Sequence, residues 1–199
     1  MLPIKQSRRI GRFVSIPVTL LLLGSMFMPA ARGCEGKPIY PYEFVSKDRW
    51  GGALFLTPHL FALLCLVAAI LFVRATKQDV SLGAKFYRLA TAVCAIPAGL
   101  FQVGAVISPG AGRWNYAFLI PGLLIYFGLL YMLWRSRRMS EEAAVVGRAM
   151  WVGSGMAANW YLFWILTEQT MYGLWVSFGS SLLLFLCGYF IEHGGDSNK

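Results

Sequence analysis

Arg8 to Cys34 reads RRIGRFVSIPVTLLLLGSMFMPAARGC, and the layout of the whole chain turns on it. It is either an export signal or the first of several helices that stay in the membrane. Between Arg12 and Arg32 lie 19 uncharged residues, about 28 Å of helix at 1.5 Å per residue. That matches a bilayer core of about 30 Å. A signal core of roughly 7–15 residues is also available in Val18 to Met28, after Pro17. Ala31-Arg32-Gly33 puts small residues at the −3 and −1 positions of a cleavage site before Cys34. A cysteine at +1 suggests a lipidated Cys34, but that motif usually has Leu at −3 and a small residue at −2. Here Ala31 and Arg32 occupy those places. Ser7-Arg8-Arg9 echoes a twin-arginine signal, with Gly11 where an apolar residue is preferred. The expectation is a retained helix, with plain cleavage and lipidation of Cys34 as the alternatives. In all three cases the next helix enters from the outside.

Working outward, the composition agrees with a membrane protein. The chain is 57% hydrophobic and only 14% charged, where a soluble domain carries about 25% charged residues. The apolar residues fall into six blocks: 13–31, 52–73, 89–107, 114–134, 149–166 and 171–191. None contains Lys, Arg, Asp or Glu. In lipid every backbone polar group must be satisfied within its own segment, so each block should be a helix. The expected fold is all-α: a single polytopic bundle of six transmembrane helices, or five if the N-terminal segment is cleaved, with an outer loop at 32–51.

The formal charge of +9 does not indicate nucleic acid. The basic residues sit in connectors between blocks, as the positive-inside rule requires. The Arg135, Arg137, Arg138 cluster has no interleaved aromatic residues on which bases could stack. With both termini inside, thirteen Lys and Arg lie on the cytoplasmic side and five outside; the reverse orientation inverts that bias. The expected orientation is N-in and C-in, in a bacterial inner membrane. Trp50, Trp114, Tyr116, Trp134, Trp151, Trp164, Tyr172 and Tyr189 are placed to form interfacial belts.

The stretch Met26 to Phe44, MFMPAARGCEGKPIYPYEF, resembles uncharacterised bacterial multi-span inner-membrane proteins. In these an N-terminal helix ends in a Phe-Leu-Pro-like step and is followed by a Cys-x-Gly outside. The resemblance spans about one-tenth of the chain and implies location rather than activity.

Catalytic signatures are missing from the sequence: there is no HExxH, GxSxG or Walker-type loop. Two histidines, His59 and His193, cannot build a histidine-rich metal cage, and no metal or cofactor is expected. Cys65, Cys94 and Cys187 lie inside apolar blocks and no CxxC occurs, so no thiol relay is expected. The in-membrane polar residues cluster toward the predicted outer side. His59, Gln102, Asn159 and Glu168 would line an outward-opening pocket, with His59 and Glu168 as the pair able to relay protons or orient a headgroup. Two stripes of small residues recur at a spacing of four: Ala149, Gly153 and Ala157, then Gly173, Ser177 and Ser181. They are expected to pack the last two helices together as an antiparallel hairpin. The function expected is a non-enzymatic membrane subunit or accessory protein, working through lipids and a protein partner in the membrane, with homo-oligomers available to it. The alternatives are a small transporter or channel, and a membrane-embedded enzyme using His59 and Glu168.

Overall fold

A computed structural model describes residues 4–32, 36–43, 58–63, 89, 91, 113–135, 142–167 and 170–194. Helix makes up 87% of what can be interpreted, which places the chain in the all-α class. The elements are α1 (Ile4–Gly24), a 3-10 turn (Ser25–Phe27), β1 (Ala31–Arg32), β2 (Pro38–Ile39) and a second 3-10 turn (Pro41–Glu43). They are followed by α2 (Arg113–Arg135), α3 (Glu142–Thr167) and α4 (Tyr172–His193). A further helical piece covers 58–63. Among the described residues, two stretches are long and apolar enough to cross a membrane: Ile10–Phe27 and Tyr172–His193.

The first helix stops earlier than its apolar block. It ends at Gly24, passes through the 3-10 turn, and is extended at Met28. From Pro29 onward the main chain bonds elsewhere. Ala30 N–H donates to Ile39 O at 2.9 Å, while Met171 N–H and Gly173 N–H donate to Ala30 O and Pro29 O at 2.9 and 3.0 Å. Backbone groups claimed by a hairpin on one side and by the start of α4 on the other are not available to continue a helix. Sequence periodicity could not show this, because Met28 to Ala31 are as apolar as the turns before them.

α1 and α4 run antiparallel. Their paired ends show it: Ser177 meets Ser25, while Gly11 lies against Cys187 and Ile191 at the other end. α2 and α3 are also antiparallel, with Gly122 against Asn159 and Leu129 against Gly155. Within α1, Pro17 has no N–H to give. The hydroxyls of Ser15 and Thr19 turn back onto the carbonyls of Arg12 and Ser15 at 2.8 and 2.6 Å, so neither enters the bundle unsatisfied.

The distribution of polarity is reversed relative to a soluble bundle. On α4 the buried face carries Gly173, Ser177, Ser180, Ser181, Gly188 and Glu192. The outward face carries Trp175, Leu182, Leu183, Leu186 and Phe190, each more than two-fifths exposed. In water this arrangement would leave the hydrophobic surface unburied. In lipid it is the low-energy one, because small residues let backbones approach, and Ser177 and Ser181 find partners. The interior does have large residues where it is widest. Trp160, Tyr161 and Leu22 pack with Val18, Ala62, Ala157, Leu174 and Leu184 in one cluster.

The small-residue stripes face neighbours other than those expected. A Cβ on Gly153 would run into the Phe61 ring, so this stripe faces the 58–63 segment. Thr91 Oγ1, donating to Ala149 O at 3.0 Å, lies on the same side, and Ala157 shares its cluster with Ala62. Gly173 lies against Met28 and Pro29 and Ser177 against Ser25, so those two residues face the end of α1. α3 and α4 approach closely at Gly147 and Gly188. A Cβ on Gly188 would sit 2.5 Å from Trp151 N and 2.8 Å from Gly147 O. A spacing of four marks a face that can approach closely; it does not name which helix does so.

Because α1 and the turn that follows it contribute the fully buried Leu22 and Ser25 to the interior, they are expected to remain on the mature protein. Intact mass of the membrane-extracted chain should include residues 1–33. A mass beginning at Cys34 would overturn this.

Candidate functional site

Two buried polar clusters lie at opposite ends of α4, about 22 Å apart along the helix from Ser177 to Glu192.

The first is built around His59. The ring is 3% exposed, and both of its nitrogens have partners. Ser25 Oγ lies 3.3 Å from Nε2 and the Tyr161 hydroxyl 3.4 Å from Nδ1. The tyrosine ring stands edge-on to the imidazole at 6.0 Å between centroids. Ser25 Oγ donates to Leu22 O at 2.6 Å and lies 2.7 Å from Ser177 Oγ. Ser177 also reaches Gly173 O at 2.9 Å, and Ser181 donates to Ser177 O at 2.8 Å.

These bonds join the end of α1, the 58–63 segment, the last third of α3 and the first turns of α4. A serine beside a histidine invites comparison with a nucleophile and its base. The geometry opposes that use: the Ser25 proton is on a main-chain carbonyl, and the residue is completely buried. As arranged, the cluster is a latch. Tyr161→Phe removes the hydroxyl that bonds Nδ1 and should lower stability by about 1 kcal/mol. Unfolding in mixed micelles measures this, and a variant as stable as the wild type would remove the Tyr161 bond from the account.

The pocket expected from the sequence is divided by the structure. Asn159 is two positions before Tyr161 on α3, which turns it about 200° around the helix. It faces α2 and donates through Nδ2 to Gly122 O at 3.1 Å. His59 and Asn159 are therefore on different sides of α3. Gln102, Glu168 and Cys34 lie outside the described residues, so the described partners of His59 are Ser25 and Tyr161.

The second cluster was not foreseen. Arg148 and Glu192 form an ion pair with the carboxylate 5% exposed and the guanidinium 17% exposed. Arg148 Nε donates to Glu192 Oε1 at 3.0 Å, and a second guanidinium nitrogen reaches the same oxygen. Trp151 Nε1 donates to Oε2, so Trp151 points into the bundle rather than joining an interfacial belt. Trp164 is likewise partly buried and packs edge-on against Trp160 at 5.9 Å. The pair sits beside the Gly147–Gly188 contact, where the helices are close enough for the two side chains to meet. Arg148 and Glu192 flank apolar blocks in the sequence and read there as solvated ends. One signal could have found them: counting back equally from the link between Thr167 and Tyr172 brings Arg148 level with the last turn of the final helix.

Among the described residues, no group of three His, Cys, Asp or Glu side chains could hold a metal ion. No protein-family model, curated protein or solved structure matches this chain.

Proposed function

We propose that this chain is a multi-pass protein of a bacterial inner membrane, with six spanning helices and both termini inside. In this reading it is a non-enzymatic subunit or accessory component that acts through contacts with lipids and a protein partner. One observation carries the proposal: two clusters of buried polar side chains are turned on themselves, while the outward faces are apolar. His59, Ser25, Tyr161 and Ser177 bond among themselves, as do Arg148, Glu192 and Trp151. Groups held in this way fix helix positions, and what remains for the surroundings is a surface of Leu, Phe, Trp and Tyr. Such a surface suits lipid and other membrane helices. The alternating orientation is supported by the antiparallel pairs α1–α4 and α2–α3 and by the excess of Lys and Arg on the predicted inner side.

The test is purification of the natively expressed, tagged chain from membranes in a mild detergent. A second protein should come with it in fixed stoichiometry, and reporter fusions at each terminus should read cytoplasmic. Recovery of the chain alone from native membranes, or termini on opposite sides, would sink this reading.

A further inference from the structure

The hairpin that follows α1 lies in one layer with the start of α4. Main-chain bonds tie Pro29 and Ala30 to Met171 and Gly173 and to Ile39, and Ala31 bridges Thr170. This layer is where two stretches of membrane-spanning length end or begin. It carries an aromatic shelf. Tyr40 stacks on Tyr42 with 5.6 Å between centroids, and Phe27 leans on Tyr42 at 6.0 Å. Phe27 is 68% exposed, Tyr172 61% and Trp175 53%. Arg32, on β1, is exposed in the same layer.

Two kinds of surroundings suit such a shelf: a peptide partner or the bilayer interface. The backbone disfavours a strand-like peptide. β1 has β2 on one side and Thr170 on the other. β2 is two residues long and begins at Pro38, which has no N–H to offer a third strand. The side chains favour lipid. Tyrosine and tryptophan settle where an apolar ring meets acyl chains and a polar group meets water. A guanidinium beside them matches the phosphate of the headgroup layer.

We propose that the shelf of Phe27, Tyr40, Tyr42, Tyr172 and Trp175, with Arg32, is a docking surface for the phospholipid headgroup layer. It holds the hairpin at the glycerol level of the outer leaflet, with Arg32 on lipid phosphate. The proposal rests on the membrane-spanning reading above and deepens it. By clamping the hairpin to the interface, the shelf fixes the depth of the layer that holds Ser25 and the end of α1.

Depth-dependent quenching tests it. In a full-length chain with Cys34, Cys65, Cys94 and Cys187 replaced by alanine, single cysteines are placed by Leu183→Cys, Tyr42→Cys and Lys37→Cys. Each is labelled with a small environment-sensitive fluorophore and reconstituted into phosphatidylcholine–phosphatidylglycerol vesicles. Lipids with nitroxides at shallow or deep positions, and aqueous iodide, are the quenchers. The Leu183 position should respond to the deep nitroxide and the Tyr42 position to the shallow one. Lys37 should respond more to iodide than Tyr42 does. If Leu183 is deep while Tyr42 is quenched by iodide as fully as Lys37, the shelf proposal is overturned and the membrane reading stands. If iodide quenches Leu183 as well, both fail together. Arg32→Gln should carry less phospholipid phosphorus through detergent exchange than the wild type, and equal amounts would overturn the phosphate contact.

Discussion

Replacing Glu192 by alanine should lower the stability of the bundle by about 3–5 kcal/mol, the largest effect expected of any single side-chain truncation here. The carboxylate is buried and holds three donors: two on the Arg148 guanidinium and the Trp151 indole N–H. Truncation leaves a guanidinium that is largely out of water with nothing opposite it. Breaking a buried pair by removing one partner strands the other charge, which is costlier than the pair's own net worth. The same argument makes Arg148→Ala strongly destabilising, because it strands the carboxylate. The double variant Arg148→Ala with Glu192→Ala should recover part of the loss, since neither charge is then left alone. Unfolding in mixed detergent micelles, run as a double-mutant cycle, measures all three. Strictly additive losses would mean that the two side chains do not interact in the membrane.

The second large effect is expected at the Gly147–Gly188 contact. Gly188→Ala adds one methyl group, but the atoms it meets are the Trp151 amide nitrogen and the Gly147 carbonyl oxygen. Backbone on a neighbouring helix cannot rotate aside as a flexible side chain can. The helices must separate there, at about 1–3 kcal/mol for overpacking. The separation also lengthens the Arg148–Glu192 contact, so the two effects are coupled. Gly179→Ala is the control: a Cβ at Gly179 meets nothing within 4 Å, and alanine is the better helix former by about 1 kcal/mol. The control should be neutral or slightly stabilising. A Gly188→Ala variant as stable as the control would show that the helices cross elsewhere.

Three of the described helices were legible because long uncharged blocks mark them in the sequence. α2 and α4 begin and end within a residue or two of their apolar blocks. α3 starts at Glu142, ahead of its apolar block, which opens at 149. The end of α1 has a local signal in Pro29, which lacks an N–H and disfavours helix at Met28; main-chain bonds with Ile39, Met171 and Gly173 then hold the departing chain.

The candidate site shows the same division. His59 stood out as a lone polar ring in an apolar block. Its partners did not, because a serine or tyrosine in such a block is common and only geometry selects Ser25 and Tyr161 from the others. Asn159 carried an equally polar signal and faces the opposite side of α3, because two residues along a helix reverse direction.

The sequence by itself determined the all-helical class and the approximate extents of the later helices, since both follow from local composition and a 1.5 Å rise. Only the tertiary structure decided which faces meet. It sent Gly153 to Phe61, Ser177 to Ser25, Gly147 to Gly188 and Arg148 to Glu192. Those choices depend on how the helices rotate and cross, a property of the packed bundle that no single helix carries in its own residues.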